Sequence, residues 1–344
     1  MRILPLTAIV LPLALSFIGN VEARNIRRSA EDVSQSSAVR QYKLTAITDM
    51  DKAAETEKGK YTWRAVTREG TLRYDPKCQS VTVTWTPGSD KNVTTHLNYK
   101  GRAMELSDLA EFHGRLLSPD DKTGMIYEIK NGKAIPWAFL NSGPGNTTSG
   151  MKAEWMTIKD DMLYVGGHGM EYRDKNGTVF STDPMWIKTV SQSGEVTSID
   201  WTEKFDKLRN KTGYYSPGYL THEAAQWSDI RKKWFFLPRK ANKNAYVESE
   251  DEVSGTNLLI TADEKFENIE VVKIRTRYRK RRGFAAFEFV PNTNDSVIVA
   301  IKSKEIGNII ESYITAFTTE GKTLLHDQRL DGGLKFEGLF LHRK

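Results

Sequence analysis

The sequence has one cysteine, Cys78, among 344 residues. No intrachain disulfide can form, so stability must come from a large core or a bound metal. A lone thiol of this kind reads as a buried one rather than half of an intermolecular bond. After Ile18 no stretch is apolar enough to span a membrane. Cys/His pairs at zinc spacing are missing. Gly145 to Lys152 has the first spacing of a phosphate loop but lacks its Gly-Lys-Ser/Thr. The glycine fingerprint of dinucleotide-binding folds and the Gly-x-Ser-x-Gly nucleophile elbow are missing too. Helical periodicity is scarce, with residues 202–209 the one short helix expected.

The N-terminus carries Arg2, an apolar run over residues 3–18 broken by Pro5 and Pro12, and Val21-Glu22-Ala23. That is the pattern of a secretory signal peptide, expected to span 1–23. A polar, flexible leader is expected over 24–40 and one folded domain over 41–344. No C-terminal retention signal follows, so a secreted, extracellular protein without stable membrane association is expected. Five Asn-x-Ser/Thr sequons, at Asn92, Asn146, Asn176, Asn210 and Asn294, fit that route. Fifty Lys and Arg against 44 Asp and Glu give a formal charge of +6, a field that helps draw in an anionic substrate. The densest run, RTRYRKRR at 275–282, reads either as a patch for nucleic acid or heparin or as a solvated loop or edge strand guarded by charge. The second is the plainer reading, and no nucleic-acid partner is expected.

From Tyr42 onward, short strand-like runs alternate with turn signals. They include residues 43–48, 61–66, 80–85, 125–129, 234–238, 297–301 and 312–318. The pattern is all-β: a sandwich, barrel or propeller. Five segments then align as repeats, anchored at Ser107, Glu154, Glu223, Ala285 and Glu337, with spacings of 47, 69, 62 and 52 residues. Units of that length suit four-stranded propeller blades, so the expected fold is a five-bladed β-propeller whose first blade joins N- and C-terminal strands. Residues at equivalent anchors would converge on the central axis. Three converging glutamates repel unless a cation neutralises them, and oxygen ligands point to calcium. On the plainer reading these glutamates only begin strands at a solvated end.

The stretches ITDMD (47–51), GRAMELSDL (101–109), SPDDKTGMIYEI (118–129), MKAEWMTIKDDMLYVGGHGMEY (151–172), PGYLTHEAAQWSD (217–229), WFFLPRK (234–240), GFAAFEFVPNTND (283–295), VIVAIKS (297–303) and FEGLFL (336–341) resemble, in order, the calcium-activated nucleotidase and apyrase family. The resemblance implies a five-bladed propeller with calcium in its central tunnel. It implies calcium ligands at Ser107, Glu154, Glu223, Ala285 and Glu337. Ala285 departs from the serine frequent in that family, a change a backbone carbonyl ligand survives. His168, in GGHG, stands where an apolar residue is expected.

The implied reaction is hydrolysis of the terminal phosphoryl group of nucleoside tri- and diphosphates, ATP and ADP first and UDP or GDP as alternatives. Catalytic residues expected are Asp51 and Asp121, from the resemblance, with Asp49 two residues from Asp51 on one strand face. Asp120-Asp121 alone reads equally as a plain turn after Pro119. Arg239, Lys152 and Lys240 are expected to hold phosphate oxygens, with Arg239 also placed among the catalytic residues. Trp155 or Tyr172 would stack on a base, although a core role is the plainer one. A secretory-pathway nucleoside diphosphatase and a non-enzymatic calcium-stabilised propeller are the competing functions.

Overall fold

A computed structural model describes residues 38–343 apart from 58, 59 and 175–177. The expected signal peptide, nearly all of the expected leader and the sequon at Asn176 lie outside the described residues. Among the described residues, twenty-three strands carry the fold. Among the described residues one helix exceeds a single turn, Thr202–Thr212. It starts where Asp200 Oδ1 accepts from the Thr202 N–H at 2.8 Å, and stops at Gly213, whose φ of 80° suits the left-handed cap that glycine adopts freely.

Three sheets are four-stranded antiparallel meanders. They begin with Trp155–Lys159, Tyr219–Ser228 and Gly283–Phe289. A nine-stranded sheet and a two-stranded ribbon, Tyr172–Arg173 with Val179–Ser181, complete the set among the described residues; the nine-stranded sheet closes the fold. In it Lys335–Leu341 pairs with Arg40–Asp49, which pairs with Trp63–Asp75. Lys91–Thr95 then meets a second meander, Ala110–Phe112 to Lys133–Phe139, through one parallel pair, Thr94 and Lys133. The first strands of successive meanders touch in order, from Ala110–Phe112 through to Lys335–Leu341. Gly338 closes the circle: a Cβ there would lie 2.9 Å from the Asp108 backbone and 2.5 Å from Ile47. Only glycine permits that approach. The result is an all-β, nearly closed, propeller-like ring.

Apolar side chains fill the space between neighbouring sheets. Trp155, Trp201, Trp234, Phe236 and Phe266 form one such layer, with Trp201 and Trp234 edge to face at 4.9 Å. Phe235, Phe284, Phe287 and Phe317 form another. Alternation along Lys233–Asn242 sends Trp234 and Phe236 into the first layer and Phe235 into the second.

The innermost strands break register at three anchors. The pairing jumps from Phe284–Lys302 to Ala286–Ile301, passing over Ala285. It passes over Glu223 between His222–Pro238 and Ala225–Phe236, and over Glu337 between Gly338–Ile47 and Phe336–Thr48. A bulge frees a residue from the ladder and re-aims it.

Two expectations change. Cys78 is exposed. It sits in a turn where Asp75 Oδ1 accepts from the N–H groups of Lys77 and Cys78 at 3.0 and 3.1 Å, so local turn chemistry overrides the general preference of cysteine for burial. Asp49 and Asp51 do not share a strand face: the strand ends at Asp49, and Asp51 opens a 3-10 turn with φ of 46°. The 275–282 run is a loop between Ile269–Lys273 and Gly283–Phe289, the first of the two forms that its plainer reading allowed.

Candidate functional site

Glu154, Glu223 and Glu337 are all buried, at 2%, 8% and 3% exposure. Glu154 precedes the strand Trp155–Lys159, its N–H donating to Gly166 O at 2.7 Å. The next residue, Trp155, points the other way into the core and is fully buried. Ser107 and Ala285 are buried too.

Cations and an imidazole link the carboxylates. Lys152 donates to Asp121 and, at 2.5 Å, to Glu154. The glycines before His168 let its loop sit against this strand: a Cβ on Gly167 would be 2.7 Å from the Lys152 carbonyl oxygen. His168 Nε2 thereby reaches Glu154 at 2.9 Å and Glu223 at 3.1 Å. Arg239 Nη1 donates to Glu223 and, at 2.5 Å, to Glu337, while its Nη2 meets Glu305 at 2.7 Å. Lys335 Nζ lies 2.6 Å from Asp49, 3.1 Å from Asp51 and 3.0 Å from Glu305. Arg102 clamps Glu105 with two bonds of 2.6 Å and touches Asp51 at 3.2 Å. Charged contacts therefore run from Asp121 to Glu105 without a break.

Eight carboxylates in this network face four fixed cations and one imidazole. The surplus is negative, and the protonation tendencies express it. Burial pushes Asp49 well above the usual carboxylate range, against the pull of Lys335. Burial takes Glu337 to about 7 despite Lys335 and Arg239, and takes Glu105 to about 7 with Asp121 adding to it. For Glu154 burial is outweighed by Lys152 and His168, and for Glu223 by Arg239, so both are held low. Burial opposes the charge on His168, yet Glu154 raises it to about 9.

A hard dication fits this set. Most donors are oxygens, the charge surplus is negative, and two buried oxygens, Ser107 Oγ and Asp121 Oδ1, have no hydrogen-bond partner. Glu154, His168 and Glu223 form one group able to surround an ion, and Asp49, Asp51 and Glu105 another.

The Apyrase family model matches residues 50–341. This chain belongs to the apyrase family. It is 41% identical over 298 residues to the apyrase of Cimex lectularius, covering 87% of this chain and 82% of that one. It is 43% identical over 301 residues to apyrase apy-1 of Caenorhabditis elegans, covering 87% and 84%. The soluble calcium-activated nucleotidase 1 of Rattus norvegicus is 42% identical over 299 residues, covering 87% and 73%.

In this apyrase-family chain Asp49, Asp51, Asp121, Lys152, Glu154, Glu223, Arg239 and Glu337 are gathered into one network. Ser107 and Ala285 lie at their anchor positions, Ala285 with its methyl group in the core. Lys240 is not brought in: its Nζ donates to Asp251 O at 2.6 Å on the opposite side of the strand from Arg239. Arg239 itself lies on Lys233–Asn242, the second strand of its sheet, and is passed over by the pairing between Lys240–Thr221 and Pro238–His222, which frees it from the ladder. Asp120 is structural, taking the Met104 and Lys122 N–H groups at 2.9 and 3.0 Å. Tyr172 stacks on the exposed Phe180 at 6.0 Å.

The sequence reading missed Arg102, Glu105, Glu305 and Lys335, and left His168 without a role. A signal existed for two of them. Lys152 stands two residues before Glu154, Lys335 two before Glu337, and Glu105 two before Ser107. In extended chain those residues share a face with their anchors.

Proposed function

We propose that this chain is a secreted, calcium-dependent nucleoside tri- and diphosphate phosphohydrolase, an apyrase that takes ATP and ADP to AMP and phosphate, on a five-bladed β-propeller. The observation that carries the reading is the buried network of Glu154, Glu223 and Glu337 interleaved with Lys152, Arg239 and Lys335. Ser107, Glu154, Glu223, Ala285 and Glu337 would hold calcium, the serine and alanine through main-chain oxygen. Bound there, calcium supplies charge withdrawal at a phosphoryl oxygen.

The chain's own residues do the rest. Arg239 offers a guanidinium fork to phosphate oxygens, exchanging its contact with Glu305 for the substrate. Lys152 and Lys335 are point charges on either flank and neutralise the anion as it enters. Burial keeps bulk water out and strengthens each of these contacts. Asp49, Asp51 and Asp121 lie across the cations from one another, placed to orient an attacking water and receive its proton. Asp121 Oδ1, buried and without a partner, is an acceptor of that kind. Recognition through phosphate and metal leaves base choice loose. An exported enzyme of this type removes ADP, an agonist of platelet aggregation, which is the use expected in the saliva of a blood feeder.

Phosphate release from ADP by the purified chain, with calcium, with magnesium and with a chelator, is the test. Turnover is expected with calcium alone and is expected to vanish, together with calcium binding, in Glu154→Ala. Turnover that persists in chelator sinks the reading. Ranking ADP against UDP and GDP separates it from a UDP/GDP diphosphatase.

A further inference from the structure

Residues 275–281 carry Arg275, Arg277, Arg279, Lys280 and Arg281, all exposed. None of the five forms an ion pair among the described residues, whereas the neighbouring Arg282 pairs with Asp327 at 2.8 Å and lies over the Tyr313 ring at 3.4 Å. Like charges this close repel, and no carboxylate relieves them. The nearby acidic turn Glu248–Asp251 directs Asp251 to Tyr219 and Lys240, and Glu250 to Asn242.

The loop is nonetheless tied down. Arg275 N donates to Gly321 O at 2.7 Å, Thr323 Oγ1 to Arg275 O at 3.0 Å, Gly255 N to Lys280 O at 2.7 Å and Tyr278 OH to Gly255 O at 2.6 Å. A ligand therefore meets a preformed backbone, which lowers the ordering cost of binding. Tyr278 to Arg282 and Lys304 line an open cleft of about 420 Å³.

We infer that this loop is a docking surface for a sulfated polysaccharide, separate from the site around Glu154. Five unpaired cations within seven residues, gathered by a turn in which Arg282 N donates to Arg279 O at 2.9 Å, offer several contacts at once, which suits a repeating polyanion better than one nucleotide. Four of the five cations are arginines, whose planar forks match tetrahedral oxyanions. Single-stranded nucleic acid needs successive aromatic platforms, and the loop has one aromatic, Tyr278, with its hydroxyl already engaged. A membrane surface needs an apolar wedge beside the charges, which the loop lacks.

Binding of a heparin dodecasaccharide to the full chain tests the inference. One variant replaces Arg275, Arg277, Arg279, Lys280 and Arg281 with Ser. A charge-matched control replaces the exposed Lys77, Lys91, Lys100, Lys130 and Lys265 with Ser. The loop variant is expected to lose more than about tenfold in affinity, and the control to lose much less, because only clustered charge gives many simultaneous contacts. If the fivefold variant does not fold, the double variant Arg277→Ser/Arg281→Ser, which leaves every named backbone bond intact, is read in its place. Equal losses in loop variant and control overturn the assignment. Equal competition by a single-stranded RNA or by anionic vesicles overturns it as well.

Discussion

Arg239 and Lys240 are neighbours in one strand and face opposite ways. The first lies between Glu223, Glu337 and Glu305, and the second holds Asp251. Arg239→Ala should therefore lower kcat/KM for ADP by about 10²- to 10³-fold, the usual cost of losing a group aimed at developing charge. Lys240→Ala should leave turnover per folded molecule unchanged. Steady-state phosphate release by both variants checks the pair, and equal losses would restore Lys240 to the site. Away from the network, Lys188 is 1% exposed and donates to Ser198 Oγ at 2.7 Å and to Gly143 O. Burial lowers its pKa to about 8 from an ordinary 10.5. The folded chain sheds this proton near pH 8 while the unfolded chain keeps it to about 10.5. Between those values the unfolded state binds more protons, and raising the pH favours folding. The stability difference between wild type and Lys188→Met, from denaturant titrations at pH 7 to 10.5, should grow in favour of wild type above pH 8. A constant difference would mean that Lys188 titrates normally. Arg239 was legible because it ends the run WFFLP, and Glu154 because its segment repeats. Arg102 and Glu305 were not, because nothing local distinguishes them from surface charges. Tertiary contact alone recruits them.

At the scale of elements, the strand Ser80–Trp85 was legible to the residue, since its alternation is bounded by turn residues on both sides. The bulges at Glu223, Ala285 and Glu337 were invisible in advance. A bulge adds one residue and shifts the alternation by one, so that Phe284 and Phe287 reach the same layer, but a slip of one in so short a run does not tell which residue has left the ladder. The anchors could thus be aligned as repeats, while the reason they aim inward had to come from the pairing register. Gly338 gives this scale its test. Gly338→Ala should destabilise the chain by about 1–3 kcal/mol, because the methyl group would meet the Asp108 backbone, which cannot swing aside. Chemical denaturation measures it. A neutral substitution would show that the ring is looser there than the contact implies.

For the molecule as a whole, the central network leaves negative charge uncompensated at buried carboxylates. A cation that binds only the folded state stabilises it by mass action, about 2.7 kcal/mol at a concentration one hundred times Kd. Calcium should raise the melting temperature and a chelator lower it, with the calcium effect missing in Glu154→Ala. Scanning calorimetry on the two proteins decides this, and a melting point indifferent to calcium would leave the carboxylates to be balanced by Lys152, Arg239 and Lys335 alone. The all-β class was legible at this scale because short alternating runs recur between turn signals. The closure was inferable only in outline, since pairing Leu44 with Leu341 joins residues almost the full domain apart.

That closure imposes an order on synthesis. Lys335 and Glu337 ride on the strand that seals the ring, so Asp49 emerges from the ribosome long before Lys335, and Arg239 meets Glu223 before Glu337 exists. The three meanders that begin at Trp155, Tyr219 and Gly283 can each form as they are made, but the charge network cannot yet be joined end to end. A chain that stalls or is clipped before Lys335 would carry most of the architecture and the links from Asp121 to Arg239, but not the lysine that ties Asp49 and Glu305 to them, so the strand that seals the ring also completes the centre.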